Sequence, residues 1–255
     1  KENPFVVEIG SNDGTLLKQL KKYKINVLGI EPAKNLAEIS RKSGIKTENK
    51  FFNLNLAKKI AKKENADLVI ANNVLGHVDD LHQFIIGIKK LLKNDGIFVF
   101  EVPHALNLIE KLEFDTIYHE HISYFSLIPL SSWLKKYDFE IFNLEKQKVH
   151  GGTIRVYVSK KNNFQKNRSV ENMKVIEKEY GITKINTYKN FSKKIYNLKK
   201  ILKKKIMILK NSEKIIFGYG ASAKGNVLLN FCEIDNKILD FITDTTKIKQ
   251  GKFTP

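Results

Sequence analysis

The sequence predicts an α/β protein: a Rossmann-like, doubly wound sheet domain over residues 1–160, then a helical linker and a partial second Rossmann-like domain over residues 161–255. Three observations predict it. Apolar runs of strand length alternate with helically spaced apolar residues from Phe5 to Val102. Glycine-rich turns separate a strand from a helix at two places, Gly10 to Gly14 and Gly218 to Gly225. A polar, Asn-rich stretch from Lys160 to Arg168 separates the two patterns.

The elements follow in order. Phe5 to Ile9 reads as a buried strand, Thr15 to Tyr23 as a helix, Asn26 to Ile30 as a strand and Ala33 to Ser43 as a helix. Leu54 to Lys63 is helical, Ala66 to Ala71 a strand and Leu81 to Leu92 a helix. Gly96 to Val102 is a strand that follows an Asn94-Asp95-Gly96 turn. Repeated βα units of this length argue for a parallel sheet. Beyond Pro103 the rhythm changes. Leu130 to Tyr137 reads as a helix, and Phe139 to Val149 and Thr153 to Val158 as strands suited to an antiparallel edge. Ser169 to Tyr180 and Ile185 to Asn211 are helical. Lys214 to Phe217, Asn226 to Phe231 and Ile238 to Ile242 then make a second βαβ unit with too few strands to close a sheet.

Composition narrows the function. The chain has 255 residues, 42% of them apolar, enough for a packed core. It has no apolar run of membrane-spanning length and no signal peptide before Phe5, so a cytoplasmic protein is expected. The single cysteine, Cys232, excludes an internal disulfide and a Cys-rich metal site. The net charge of +18 comes almost wholly from Lys, dispersed along the chain and accompanied by abundant Ile and Asn. This reads as biased usage and not as a nucleic-acid arm, although the positive field favours an anionic substrate.

The first glycine turn places Gly10, Asn12, Asp13 and Gly14 between a strand ending in Glu8-Ile9 and a helix, at the carboxyl end of the sheet. Glu31 closes the next strand, where an acid accepts ribose hydroxyls. The layout fits a dinucleotide or S-adenosylmethionine alike. The spacing is not G-x-G-x-x-G, Glu8 is placed to organise the loop, and Asp13 is placed to meet an aminoacyl group. Asn72 ends a further strand; Phe52 and Asn53 either flank an adenine or belong to the core.

The histidines cluster. His77 and His104 follow predicted strands, His119 and His121 bracket Glu120, His150 precedes Gly151-Gly152, and His82 lies on a helix face. His-x-His permits a metal site, but no further ligands stand at a recognisable spacing, and no metal is expected. Acid–base chemistry suits the crowding of Tyr118, His119, Glu120 and His121, because neutral imidazole removes protons near neutral pH. Lys224 adds charge to the second glycine turn, which reads either as an anion cradle or as a structural turn; it is not a Walker A motif. Arg155 reads as a substrate contact or a solvated edge residue.

The motifs EIGSNDGTLL (Glu8 to Leu17), GIEP (Gly29 to Pro32), NNVLGHVDDL (Asn72 to Leu81) and FEVPH (Phe100 to His104) resemble one family. So do FDTIYHEHISYFS (Phe114 to Ser126), HGGTIRVYV (His150 to Val158), FGYGASAKGN (Phe217 to Asn226) and the final KQGKFTP. That family is the sugar C-methyltransferases acting on nucleotide-linked 4-keto sugars. The resemblance implies a class I methyltransferase domain, S-adenosylmethionine as cofactor and a nucleotide-linked sugar as partner, with no nucleic acid and no membrane. It implies that His121 is the general base, that Tyr118 and Glu120 support the base and the enolate, and that His77 is a further active-site histidine. His104, His119, His150, Arg155, Gly218, Gly220 and Lys224 are the expected substrate contacts, the second turn holding a pyrophosphate. Family members usually begin with a Cys-rich zinc-binding domain, so the chain reads as an internal fragment. Two other functions compete: an RNA methyltransferase, which predicts an Asn-Pro-Pro-aromatic signature that Asn72-Asn73-Val74 does not supply, and an inactive nucleotide-sugar-binding protein. Neither the sugar, the nucleotide nor the oligomeric state is legible.

Overall fold

A computed structural model describes residues 3–149 and 151–254. The chain divides into two compact units, unit 1 comprising residues 1–106 and 122–182 and unit 2 comprising residues 107–121 and 183–255.

Unit 1 is built on a seven-stranded sheet. Its amino-terminal half contains β1 (Phe5–Ile9), α1 (Thr15–Lys22), β2 (Asn26–Ile30), α2 (Lys34–Lys42), β3 (Thr47–Glu48), α3 (Leu54–Ala61), β4 (Ala66–Asn72), α4 (Leu81–Leu91) and β5 (Leu92–Pro103). A short helix α5 (Ala105–Glu110) leads away from the sheet, and α6 (Leu127–Lys135), β6 (Phe139–Gln147), β7 (Thr153–Lys160) and α7 (Arg168–Tyr180) complete the unit. The strand order is β3-β2-β1-β4-β5-β7-β6; β1 to β5 pair in parallel, while β7 is antiparallel to both β5 and β6. Every residue of β1 is buried, as a strand covered on both faces requires. Val7, Val69, Phe98, Phe100, Val156 and Val158 stand at the centre of the larger core, each fully excluded from solvent.

Local chemistry explains most boundaries. The α1 helix starts where Asp13 Oδ1 accepts from Thr15 N (3.0 Å) and Thr15 Oγ1 (2.7 Å). Asn53 caps α3 and Asp80 caps α4. Among the boundaries that depart from expectation, two lie near the site elements of unit 1. β5 begins at Leu92, not Gly96: Ala66 pairs with Leu92 and Leu68 with Ile97, so residues 93–96 bulge out of the ladder instead of forming a separate turn. Helix α6 begins at Leu127, not Leu130, because its first amides find an acceptor remote in sequence, described below.

Unit 2 contains the 27-residue helix α8 (Ile185–Asn211), then β8 (Phe217–Tyr219), α9 (Ala223–Cys232) and β9 (Phe241–Thr243), with β8 and β9 parallel. Helix α9 starts three residues earlier than the sequence predicts, since Ser222 Oγ accepts from Gly225 N (3.0 Å). Phe231 on α9 contacts Phe114 and Tyr196, which ties residues 114–116 to this unit.

Candidate functional site

The glycine turn after β1 is shaped by close approach. Gly10 has φ +69°, and a Cβ there would lie 2.7 Å from Val74 Cγ2; at Gly14, with φ +79°, it would lie 2.6 Å from Ser40 Oγ. Asn12 between them also occupies the left-handed region at φ 52°. Glu31 fixes the turn: one carboxylate oxygen accepts from Asn12 N (2.9 Å), the other from Ala33 N (2.8 Å). Asn49, which no sequence signal singled out, donates to the carbonyls of Glu31 (2.9 Å) and Pro32 (2.8 Å) and holds the end of β2.

Three carboxylates thus meet at one turn. Glu8 is 6% exposed, and its Oε2 has no hydrogen-bond partner among the described residues; Ser11 Oγ is buried and likewise unpartnered. Burial first, then the charges of Asp13 and Glu31, raises the Glu8 pKa to about 8. Asp13 moves the other way, its carboxyl lowered chiefly by the Thr15 hydroxyl. An orphaned carboxylate oxygen amid acids suits a cationic ligand and repels a pyrophosphate. The turn therefore fits S-adenosylmethionine, with its sulfonium and ammonium groups, better than a dinucleotide.

The other expected cofactor residues divide. Asn72 ends β4 and pairs across the sheet with Glu101. Phe52 packs edge-on against Phe84 (5.2 Å) and lies over Gly87, and Asn53 Oδ1 accepts from Leu56 N (2.9 Å). Both have structural work that accounts for them.

In unit 2 the Tyr118-to-His121 turn is organised around one imidazole. Nδ1 of His121 lies 2.7 Å from the carbonyl oxygen of Thr116 and 3.1 Å from its hydroxyl. A carbonyl only accepts, so Nδ1 bears the proton of the neutral ring and Nε2 is the basic nitrogen. Tyr118 Oη donates to Nε2 over 3.3 Å, and the two rings lie 4.3 Å apart. Burial, then the charge of Glu120, pushes the Tyr118 phenol up, which keeps it a donor. The Glu120 and His119 side chains are exposed, 4.0 Å apart.

In unit 1, His77 is exposed in a 3-10 turn (Leu75–His77) following β4. The carbonyl of its neighbour Gly76 accepts from Ile122 N (2.8 Å) and Ser123 N (3.2 Å), where the chain re-enters unit 1 immediately after His121.

Three of the expected substrate contacts have partners of their own within each unit. His104 is 2% exposed, and its Nε2 lies 2.7 Å from Glu177 Oε1, inside the unit. Arg155 is held by Glu101 (2.7 Å) and Glu145 (3.3 Å) on the flanking strands, so its guanidinium fork is already engaged. In the second glycine turn, Gly220 N donates to Thr243 O (2.7 Å), Ala221 N to Asp244 Oδ2 (2.8 Å) and Gly225 N to Ser222 Oγ (3.0 Å). Protein acceptors, one of them a carboxylate, occupy amides that a pyrophosphate cradle requires, and Gly218 O accepts from Thr243 Oγ1 (3.2 Å). Lys224 is half-buried on the first turn of α9. His150 lies outside the described residues. Among the described residues no helix is long and apolar enough to cross a membrane.

Two family models match: the methyltransferase domain over residues 1–144 and the C-methyltransferase C-terminal domain over residues 148–255. The C-methyltransferase NovU of Streptomyces niveus is 32% identical over 256 residues; the match takes in 100% of this chain, which spans 61% of that protein's length. A methyltransferase of Haloferax volcanii, solved with its activator Trm112, superposes with a TM-score of 0.51 at 12% identity, covering 64% of this chain and 84% of that one. An S-adenosylmethionine-dependent methyltransferase of Thermotoga maritima does so with a TM-score of 0.50 at 20% identity, covering 63% and 84%. These two likenesses establish the Rossmann-like methyltransferase fold. The methyltransferase-domain model covers more than half of the chain, and the chain belongs to that methyltransferase family.

Proposed function

We propose that the protein methylates the carbon beside the ketone of a nucleotide-linked deoxysugar, with His121 as the base. The observation that carries this reading is the committed tautomer of His121. Nδ1 is engaged at 2.7 Å by the Thr116 carbonyl, so Nε2 is the atom that takes a proton. A proton beside a ketone leaves only as charge gathering on the oxygen is stabilised. The Tyr118 hydroxyl, 3.3 Å from Nε2, is a donor beside the base, and burial, then the Glu120 charge, keeps it protonated. S-adenosylmethionine, when bound, supplies an electrophilic methyl group. Glu8 and Asp13 would hold its cationic groups, and Glu31 would accept from its ribose. His121 Nε2 would take the C–H proton and later release it to solvent, and the enolate carbon left behind would accept the methyl group as its bond to sulfur breaks and S-adenosylhomocysteine departs. His77 and His119 are exposed and are the histidines we assign to orienting the sugar.

The test uses the full-length protein with methyl-labelled S-adenosylmethionine and a panel of nucleotide-linked keto sugars. Label should enter the sugar at carbon. In heavy water, deuterium should exchange at that carbon, and His121→Asn should slow the exchange ~100-fold or more. Exchange that survives the substitution removes His121 as base, and label appearing in RNA instead of sugar overturns the substrate class.

A further inference from the structure

Glu177 is the most completely buried carboxylate of the described residues at 0% exposure, and the chemistry above makes no use of it. It sits on α7 and accepts three hydrogen bonds: from Leu127 N (2.5 Å), Ile128 N (2.8 Å) and His104 Nε2 (2.7 Å). The first two donors are the opening amides of α6. Ser126, the residue before that helix, makes no side-chain cap, and Pro129 in the first turn has no N–H to give. Glu177 is therefore the cap of α6, supplied from another helix, with its negative charge at the positive end of the dipole.

His104 extends the same network. Its backbone N–H donates to Gly152 O (3.0 Å), and the next residue, Ala105, donates to Phe125 O (2.8 Å). One carboxylate–imidazole couple thus joins the end of β5, the Gly152 loop, the start of α6 and the segment 122–126. That segment begins one residue after His121, and this same end is fastened to Gly76 beside His77 by the amides of Ile122 and Ser123.

We propose that Glu177 and His104 are a positioning pair, which fixes the course of residues 122–127 and hence the point from which the Tyr118-to-His121 turn is carried. The inference rests on the proposed base role of His121 for its functional consequence, but not for its structural one. His104 acts through Glu177 and touches no reacting atom.

Three variants of the full-length protein test it: Glu177→Gln, His104→Leu and His104→Gln. A Gln side chain can place its amide nitrogen near the position of Nε2 and so keep the donor to Glu177. Amide hydrogen exchange over residues 122–130 should rise at least tenfold in Glu177→Gln and His104→Leu, while exchange over residues 97–103 and 153–159 holds. S-adenosylhomocysteine should bind all three within about twofold of the wild type, which certifies the folded sheet. Turnover should fall tenfold or more in kcat, with KM little changed, and His104→Gln should recover most of it. If Glu177→Gln fails to fold, the two His104 variants decide alone.

Unchanged protection over residues 122–130 in folded His104→Leu overturns the proposal. So does a raised KM that His104→Gln does not rescue, which would return His104 to substrate contact. Raised exchange over 122–130 without any loss of turnover also overturns the functional half. If the wild type neither methylates nor exchanges any keto sugar, the proposed function fails while the exchange result still judges the anchor.

Discussion

Glu8 faces Asp13 and Glu31 with one oxygen unpartnered, and its pKa of about 8 lies far above the ordinary 4.5. Between those values the native protein holds a proton that the unfolded chain has lost. Stability contributed by this site is complete below the lower value and declines as pH rises toward the upper one, by at most about 1.4 kcal/mol per pH unit. Glu8→Gln should flatten this slope, as read by urea unfolding at about pH 5.5 and about pH 8.5. A cationic ligand reverses the preference by stabilising the carboxylate. Calorimetry in buffers of different ionisation enthalpy should detect proton release when S-adenosylmethionine binds at neutral pH, and none for Glu8→Gln. Equal release from both proteins would place the titrating group elsewhere. At Gly10 the constraint is steric. The added methyl of Gly10→Ala meets Val74 at 2.7 Å in a left-handed backbone, and should cost about 1–3 kcal/mol by denaturant midpoint.

Elements whose boundaries depend on neighbours in sequence were legible. The β1–turn–α1 unit announces itself by an apolar run, glycines and Asp13, all within a few residues, and α8 matches its periodic pattern from Ile185 to Asn211. The antiparallel β6–β7 edge was readable for the same reason. What was not legible depends on distant partners. Helix α6 starts where Glu177, 50 residues away, meets its amides, and no local signal marks that pairing. His104 read as a cleft residue because it follows a strand; only the fold supplies the carboxylate that buries it. Arg155 was likewise ambiguous until Glu101 and Glu145 came into register beside it. The candidate base itself was visible as a crowded motif, but its tautomer was not, since it rests on the Thr116 carbonyl. A local cap offers the contrasting case. Asn53→Ala removes the acceptor for Leu56 N and should destabilise unit 1 by about 1 kcal/mol, with no change at residues 118–121, measurable as a small shift in thermal midpoint.

At the scale of the whole molecule, the candidate cofactor turn and the candidate base belong to different units. Unit 1 carries Glu8, Asp13 and Glu31; unit 2 carries Thr116, Tyr118 and His121, although the base precedes most of unit 2 in sequence by more than 60 residues. Segment 107–121 therefore depends for its conformation on partners contributed far downstream. Phe231 is the clearest of these: its ring lies 4.9 Å from Phe114 and 5.6 Å from Tyr196, with the Lys199 ammonium 5.2 Å from its centroid. Truncating Phe231 to Ala removes the aromatic surface that Phe114 packs against, at a cost to unit 2 below the about 3–5 kcal/mol of a fully buried ring, because Phe231 is half-buried. The consequence should be separable. S-adenosylhomocysteine should bind Phe231→Ala as tightly as the wild type, because Glu8, Asn12 and Glu31 are untouched. Methyl transfer and deuterium exchange should both fall, and amide protection over residues 114–121 should fall with them. Combined with Glu8→Gln, the losses should add, since no residue is shared between the two networks. Loss of cofactor binding in Phe231→Ala alone would instead mean that unit 1 does not hold its ligand without help from unit 2.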